Sequence, residues 1–100
     1  MGVNQYRFTI TVSGGTGTIA LADRQYVFGK KMRMGIKPPN AAAIYDLLIE
    51  DNDSFLVYAE NDCVGKTSIP MEGLCNSKIN ITISGASYDG VYNLRLYSET

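Results

Sequence analysis

Between Tyr6 and Val12 the side chains alternate. Tyr6, Phe8, Ile10 and Val12 are apolar, and Arg7, Thr9 and Thr11 lie between them. A period of two is the signature of a half-buried β-strand, whose successive side chains point to opposite faces. The pattern returns in "QYVFGKKMRMGIK" (25–37), where Tyr26, Phe28, Met32, Met34 and Ile36 oppose Lys31, Arg33 and Lys37. The phase holds across Gly29, which marks a candidate bulge. Pro38-Pro39-Asn40 ends this strand, since proline brings no amide donor to a ladder. Near the C-terminus, Ile79, Ile81 and Ile83 alternate with Asn80, Thr82 and Ser84. "VYNLRLYS" (91–98) then sets Tyr92, Leu94 and Leu96 against Val91, Asn93, Arg95 and Tyr97.

Two stretches are less regular. In "NAAAIYDLLIEDND" (40–53), Ala41, Ile44, Tyr45 and Leu48 fit one helix face with Asn40 as N-cap. Ile44, Tyr45, Leu47, Leu48 and Ile49 equally make a buried strand, followed by the turn "EDNDS" and a second apolar run, "FLVYA" (55–59). A strand–turn–strand hairpin matches its neighbours, with room for one or two helical turns from Ala41 before it. Residues 60–77 show no sustained period and read as a long loop holding one short edge strand near 67–69. Six to eight short strands separated by turn residues predict an all-β, single-domain antiparallel β-sandwich over residues 1–100, Ig-like or jelly-roll-like.

The glycines of "SGGTG" (13–17) pose a chemical choice. A phosphate-binding loop needs a helix directly behind it, so that amides and dipole face the anion. Here the β-branched "TGTIAL" follows, so the loop is expected to turn the chain, using glycine's tolerance of positive φ. Gly65-Lys66-Thr67 resembles the end of a P-loop, but the position that should hold the first glycine is Glu60. "DNDS" (51–54) begins like a calcium loop, yet Leu56 and Asp62 stand where Gly and Glu are required. A turn whose Asx side chains bond nearby backbone accounts for it better. Asn52 and Asn80 head glycosylation tripeptides, without an export signal to support them.

Composition narrows the function classes. Of 100 residues 45% are hydrophobic and 19% charged, which suits a globular domain, and the net charge of −1 lacks the footprint of a nucleic-acid binder. No histidine is present, so Ser–His and Cys–His nucleophile pairs are unavailable, and most carboxylates fall in turns. The expectation is no enzyme and no cofactor. No apolar run reaches the roughly 20 residues of a membrane helix. Gly2 opens a myristoylation-like start, but Tyr6 stands where Ser or Thr is needed. Cys63 and Cys75 read as reduced, partly buried thiols of a protein made in cytoplasm. Seven tyrosines without a tryptophan leave Tyr58 and Tyr88 as candidates for an exposed recognition surface.

In order and pattern, "YRFTITVSGGTGTI" (6–19), "YDLLIEDNDSFLVYAEN" (45–61) and "INITISGASYDGVYNLRLYSE" (79–99) resemble small tailed-bacteriophage capsid decoration proteins, also called cement proteins. The resemblance covers about two-thirds of the chain and departs from the family in the basic "KKMRM" strand and the cysteine-bearing stretch. It implies a virion protein on the capsid surface that binds the major capsid protein of the expanded head and clamps capsomers, often as a trimer. Under that reading the contacts belong in loops and edge strands: Lys37, Pro38 and Pro39, then Lys66, Ile69, Pro70 and Met71. The alternatives are a tail or surface-displayed ligand- or carbohydrate-binding module and a head-completion component.

Overall fold

The computed structural model describes residues 3–19 and 25–99, with side chains for all of these except residues 3, 28–30 and 71–76. Among the described residues eight strands follow one another: β1 (Val3–Val12), β2 (Gly17–Thr18), β3 (Tyr26–Lys37), β4 (Ile44–Glu50), β5 (Leu56–Val64), β6 (Thr67–Lys78), β7 (Asn80–Ser84) and β8 (Gly90–Glu99). They form two four-stranded sheets, β1-β8-β3-β6 and β2-β7-β4-β5, with every pairing antiparallel. β1 pairs with β8, β2 with β7, β3 with β6 and β4 with β5. That nesting is one long hairpin. Left open it would expose an apolar face along its whole length, and rolling it up adds the β3–β8 and β4–β7 ladders while burying that face. The result is an antiparallel β-sandwich of jelly-roll order.

The alternating residues fill the space between the sheets. Phe8, Ile10 and Val12, then Met32, Met34 and Ile36, then Tyr92, Leu94 and Leu96 come from one sheet. Tyr45, Leu47 and Ile49 with Ile81 and Ile83 come from the other. Two fully buried rings, Tyr45 and Tyr92, meet edge to face at 5.4 Å. The Tyr45 hydroxyl donates to the Gly65 carbonyl at 2.8 Å and meets the Thr67 hydroxyl at 3.1 Å. Burial raises the Tyr45 phenol above its ordinary pKa, so it stays a neutral hydrogen-bonding group.

The β1–β2 turn and the β7–β8 loop, both of which carry the chain between sheets, lie side by side. The glycine-rich turn closes with reciprocal backbone bonds between Ser13 and Thr16, and Gly14 and Gly15 sit at φ +64° and +82°. Their amides do hold an anion, but it is the chain's own: Gly14 and Gly15 donate to the Asp89 carboxylate at 3.0 and 2.9 Å. Asp89 thereby ties the β1–β2 turn to the β7–β8 loop. Asp89→Ala is expected to cost about 1–2 kcal/mol in urea unfolding, the usual loss when charge-assisted bonds to backbone amides vanish. On the opposite corner Gly65 stands at φ +61° and donates to the Ala43 carbonyl at 2.8 Å.

Several expectations change. The fork at 40–53 resolves as strand without a helix: Asn40 caps a turn, its side-chain oxygen accepting the Ala42 amide at 2.8 Å. β4 alternates instead of being buried throughout, so Ile44 faces out. Residues 60–77 are not a long loop; all but the tight turn at Gly65-Lys66 belong to β5 and β6. Both are edge strands, which tolerate a polar run such as "ENDC" and a proline such as Pro70, so their sequences lose the period of two. Nor does the phase of β3 hold through Gly29. Tyr26 faces out and Val27 in, ahead of inward Met32. The register slips there, β3 advancing from Gly29 to Lys31 while β6 runs from Cys75 back to Glu72.

Candidate interaction surfaces

The two outer faces of the sandwich differ in chemistry. On the β2-β7-β4-β5 sheet the outward residues of β4 and β5 form an apolar stripe. Ile44 lies opposite Val64, Leu48 opposite Ala59, and Leu56 opposite Glu50 next to Phe55 in the turn. Phe55 is 70% exposed, Leu56 66%, Val64 61% and Ile44 46%, far more than single surface hydrophobics need. Asp46 and Glu50 share the outward face of β4 with Ile44 and Leu48, and Asp46 meets Asp62 between the Ile44–Val64 and Leu48–Ala59 pairs, so carboxylates alternate with the apolar residues. Exposed apolar side chains interspersed with carboxylates make this face a candidate protein-contact surface.

Local chemistry holds this edge in shape. The Asp51 carboxylate accepts the Asp53 and Phe55 amides, each at 2.9 Å, which fixes the turn that presents Phe55. The carboxylate suspected of starting a calcium loop is thus used by the turn. Asp46 accepts the Asp62 amide at 2.9 Å across a bulge where Asp62 adopts φ +57°. Tyr58, half-buried, donates to the Glu60 carboxylate at 2.5 Å. That bond holds the Tyr58 phenol up at about 12 against an ordinary 10.0. With the folded value above the unfolded one, the bond's contribution to stability is whole below pH 10 and fades as pH rises through 12. An NMR titration of isotope-labelled tyrosine is expected to find Tyr58 ionising near pH 12, and Glu60→Gln to lower it.

The outer face of the other sheet is basic. Across the ladder Arg7 lies directly opposite Arg95, Arg95 opposite Gly35, Arg33 opposite Tyr97, and Lys37 opposite Asn93. Gly35 has no side chain to fill its place between Arg95 and Ser68. A trough of about 730 Å³ opens there, and Lys37, Lys66 and Thr67 also line it.

Of the residues expected to make contacts, the structure brings Lys37 and Lys66 together on this trough. Pro39 and Pro70 are exposed but do not line it. Pro38 and Ile69 are corrected: Pro38 is buried, and Ile69, 6% exposed, points into the core because β6 keeps its inward phase there. The side chain of Met71 lies outside the described residues, as do Gly2 and the side chain of Cys75. Cys63 is a buried free thiol whose pKa rises, first through burial and then through nearby Glu60 and Asp46. Such a thiol is a poor nucleophile. Tyr88 is exposed, as its turn position predicts. Sequence reasoning missed the apolar stripe; its one legible sign was Phe55-Leu56, two adjacent large apolar residues immediately after a turn. Among the described residues no group of three His, Cys, Asp or Glu side chains is placed to hold a metal ion, and no helix is long and apolar enough to cross a membrane.

Strand order defines the class, an eight-stranded jelly-roll sandwich. No protein-family model and no curated protein matches the chain. Among solved structures, the Yersinia pseudotuberculosis-derived mitogen is similar over 98% of this chain and 86% of its own, at 14% identity and a TM-score of 0.48. A family 29 carbohydrate-binding module is similar over 99% and 82%, at 13% identity and a TM-score of 0.44. The VP2 subviral particle protein of infectious bursal disease virus is similar over 98% of this chain but only 32% of its own, at 12% identity and a TM-score of 0.38. At these identities and TM-scores none of them bears on what the chain does.

Proposed function

We propose that the protein is a virion structural component, a decoration protein that docks on the expanded head of a tailed phage and stabilises it against internal pressure. The observation that carries this reading is the row of exposed apolar residues on β4, β5 and the turn between them, with carboxylates interspersed. A lone soluble domain has no reason to keep Phe55, Leu56, Val64 and Ile44 in water, where covering them is favourable by roughly 25 cal/mol per Å². The matching partner surface, presented by the major capsid protein, would set basic groups between apolar ones. The resemblance of the three sequence stretches to decoration proteins supports the same partner. Fold alone would not, because jelly rolls host many functions.

Docking that occurs only on the assembled lattice stabilises it by mass action, with no chemical step. Many equivalent sites on a shell multiply a modest contact into large mechanical resistance. A homo-oligomer, such as a trimer at a local symmetry axis, would present several stripes at once and gain avidity. The test is co-sedimentation of the purified protein with expanded heads lacking it and, in parallel, with unexpanded shells. Saturable binding to expanded heads alone, with a raised shell melting temperature, is the expected result. Absence of binding to both would overturn the proposal.

A further inference from the structure

The basic face calls for a separate explanation. Like charges directly opposite one another on neighbouring strands are destabilising, yet Arg7 faces Arg95 across β1 and β8. On the other side of Arg95 the ladder supplies Gly35, where an acidic residue would have offered a partner. Lys37 has Asn93 opposite it, and Arg33 has Tyr97 and Pro70. Among the described residues, Lys37, Lys66 and Arg95 make no ion pair. All three line the trough over Gly35, and no carboxylate lines it with them. Beside it the Arg33 guanidinium is anchored on the Ser68 hydroxyl at 3.0 Å, so this part of the wall is held in place before any ligand arrives.

We infer that this trough is a binding site for an acidic saccharide, a sugar unit carrying a carboxylate or sulfate group. Arg95, Lys37 and Lys66 take the oxyanion, as guanidinium and ammonium groups do in charge-assisted pairs. The half-buried ring of Tyr97 offers a face for the sugar ring, and Ser68 and Asn93 supply short polar groups for its hydroxyls. An acidic peptide fits less well. The floor is the middle of a sheet whose ladders run on to β1 and β6, so a peptide strand would find no free backbone to pair with there. A nucleic acid fits less well too, because the trough is about 730 Å³ and the chain carries a net charge of −1, where a strand-tracking groove would be long and the chain basic. The floor of the site is the outer face of the sheet that does not carry the stripe, and binding measured on the free chain tests it independently of shell binding.

Calorimetric titration of the full chain decides it. The probes are trigalacturonate and a chondroitin sulfate disaccharide, with maltotriose, hexaglutamate and hexathymidylate as comparisons. Saturable binding of at least one acidic sugar is expected, weakened by salt, with no binding of maltotriose; the arm that binds tells carboxylate from sulfate. Arg95→Ala is expected to weaken binding about ten-fold or more, the scale of a lost charge-assisted contact. Gly35→Leu should abolish it by filling the trough with an unchanged unfolding midpoint, because a Cβ there meets only the Arg95 carbonyl at 3.9 Å. Should the leucine variant fail to fold, Arg95→Ala carries the test alone. The inference is overturned if neither acidic sugar binds saturably, if hexaglutamate or hexathymidylate binds as tightly, or if Arg95→Ala binds unchanged.

Discussion

Leu56→Asp is expected to abolish co-sedimentation with expanded heads while leaving the protein folded. Leu56 lies in the most exposed part of the stripe, opposite Glu50 and beside Phe55. Its side chain contributes little to the free domain because it is already in water. In a docked complex the new carboxylate would be buried against an apolar surface and set beside Glu50, so desolvation and like-charge repulsion both oppose binding. Well-packed interface residues lose about 2 kcal/mol or more on truncation, roughly 30-fold in affinity, and a buried charge should exceed that. The control is thermal unfolding of the free variant, whose midpoint should stay close to that of the parent. Unchanged head binding by this folded variant would remove the stripe from the interface.

Tyr45→Ala should have the largest effect on stability. The ring is fully buried, stacks edge to face with Tyr92, and its hydroxyl joins β4 to the Gly65 corner between the sheets. Emptying that volume is expected to cost about 3–5 kcal/mol, a large part of what a domain of this size possesses. The unfolding midpoint should fall by roughly 12–40 °C, taking about 4–8 °C per kcal/mol for a small domain. Tyr45→Phe separates packing from hydrogen bonding. It keeps the ring, and the Gly65 carbonyl still accepts from Thr67 at 3.0 Å, so the loss should be about 1 kcal/mol. Equal losses for the two variants would mean that the hydroxyl, not the ring, holds the corner.

The two expectations concern different parts of one strand. Inward residues of β4 hold the sheets together, and outward Ile44 and Leu48 present the stripe. A strand's period of two allows this division because neighbouring side chains never share a face. For the same reason a change at Leu56 can be silent in stability and severe in binding, while one at Tyr45 acts the other way.

Local physics was enough to read the strands with a polar and an apolar side. The alternation of Tyr6 to Val12, Ile79 to Ser84 and Val91 to Ser98 names both the strand and its inward residues, and the turn chemistry of Gly14, Gly15, Asn40 and Asp51 marks where the chain bends. These features depend on neighbours in the chain, and a sequence displays them directly. The edge strands β5 and β6 were hidden, since a strand paired on one side need not alternate and can carry Pro70 or a polar run. Which faces the strands share was hidden as well. Arg7 meets Arg95, Lys37 meets Lys66 around Gly35, and Ile44 meets Val64 only because the nested hairpin sets those registers. Sequence alone determined which residues would be buried in β1, β7, β8 and the second half of β3; the tertiary structure decided what the exposed ones would build together, because surface chemistry is assembled by pairings between residues far apart in the chain.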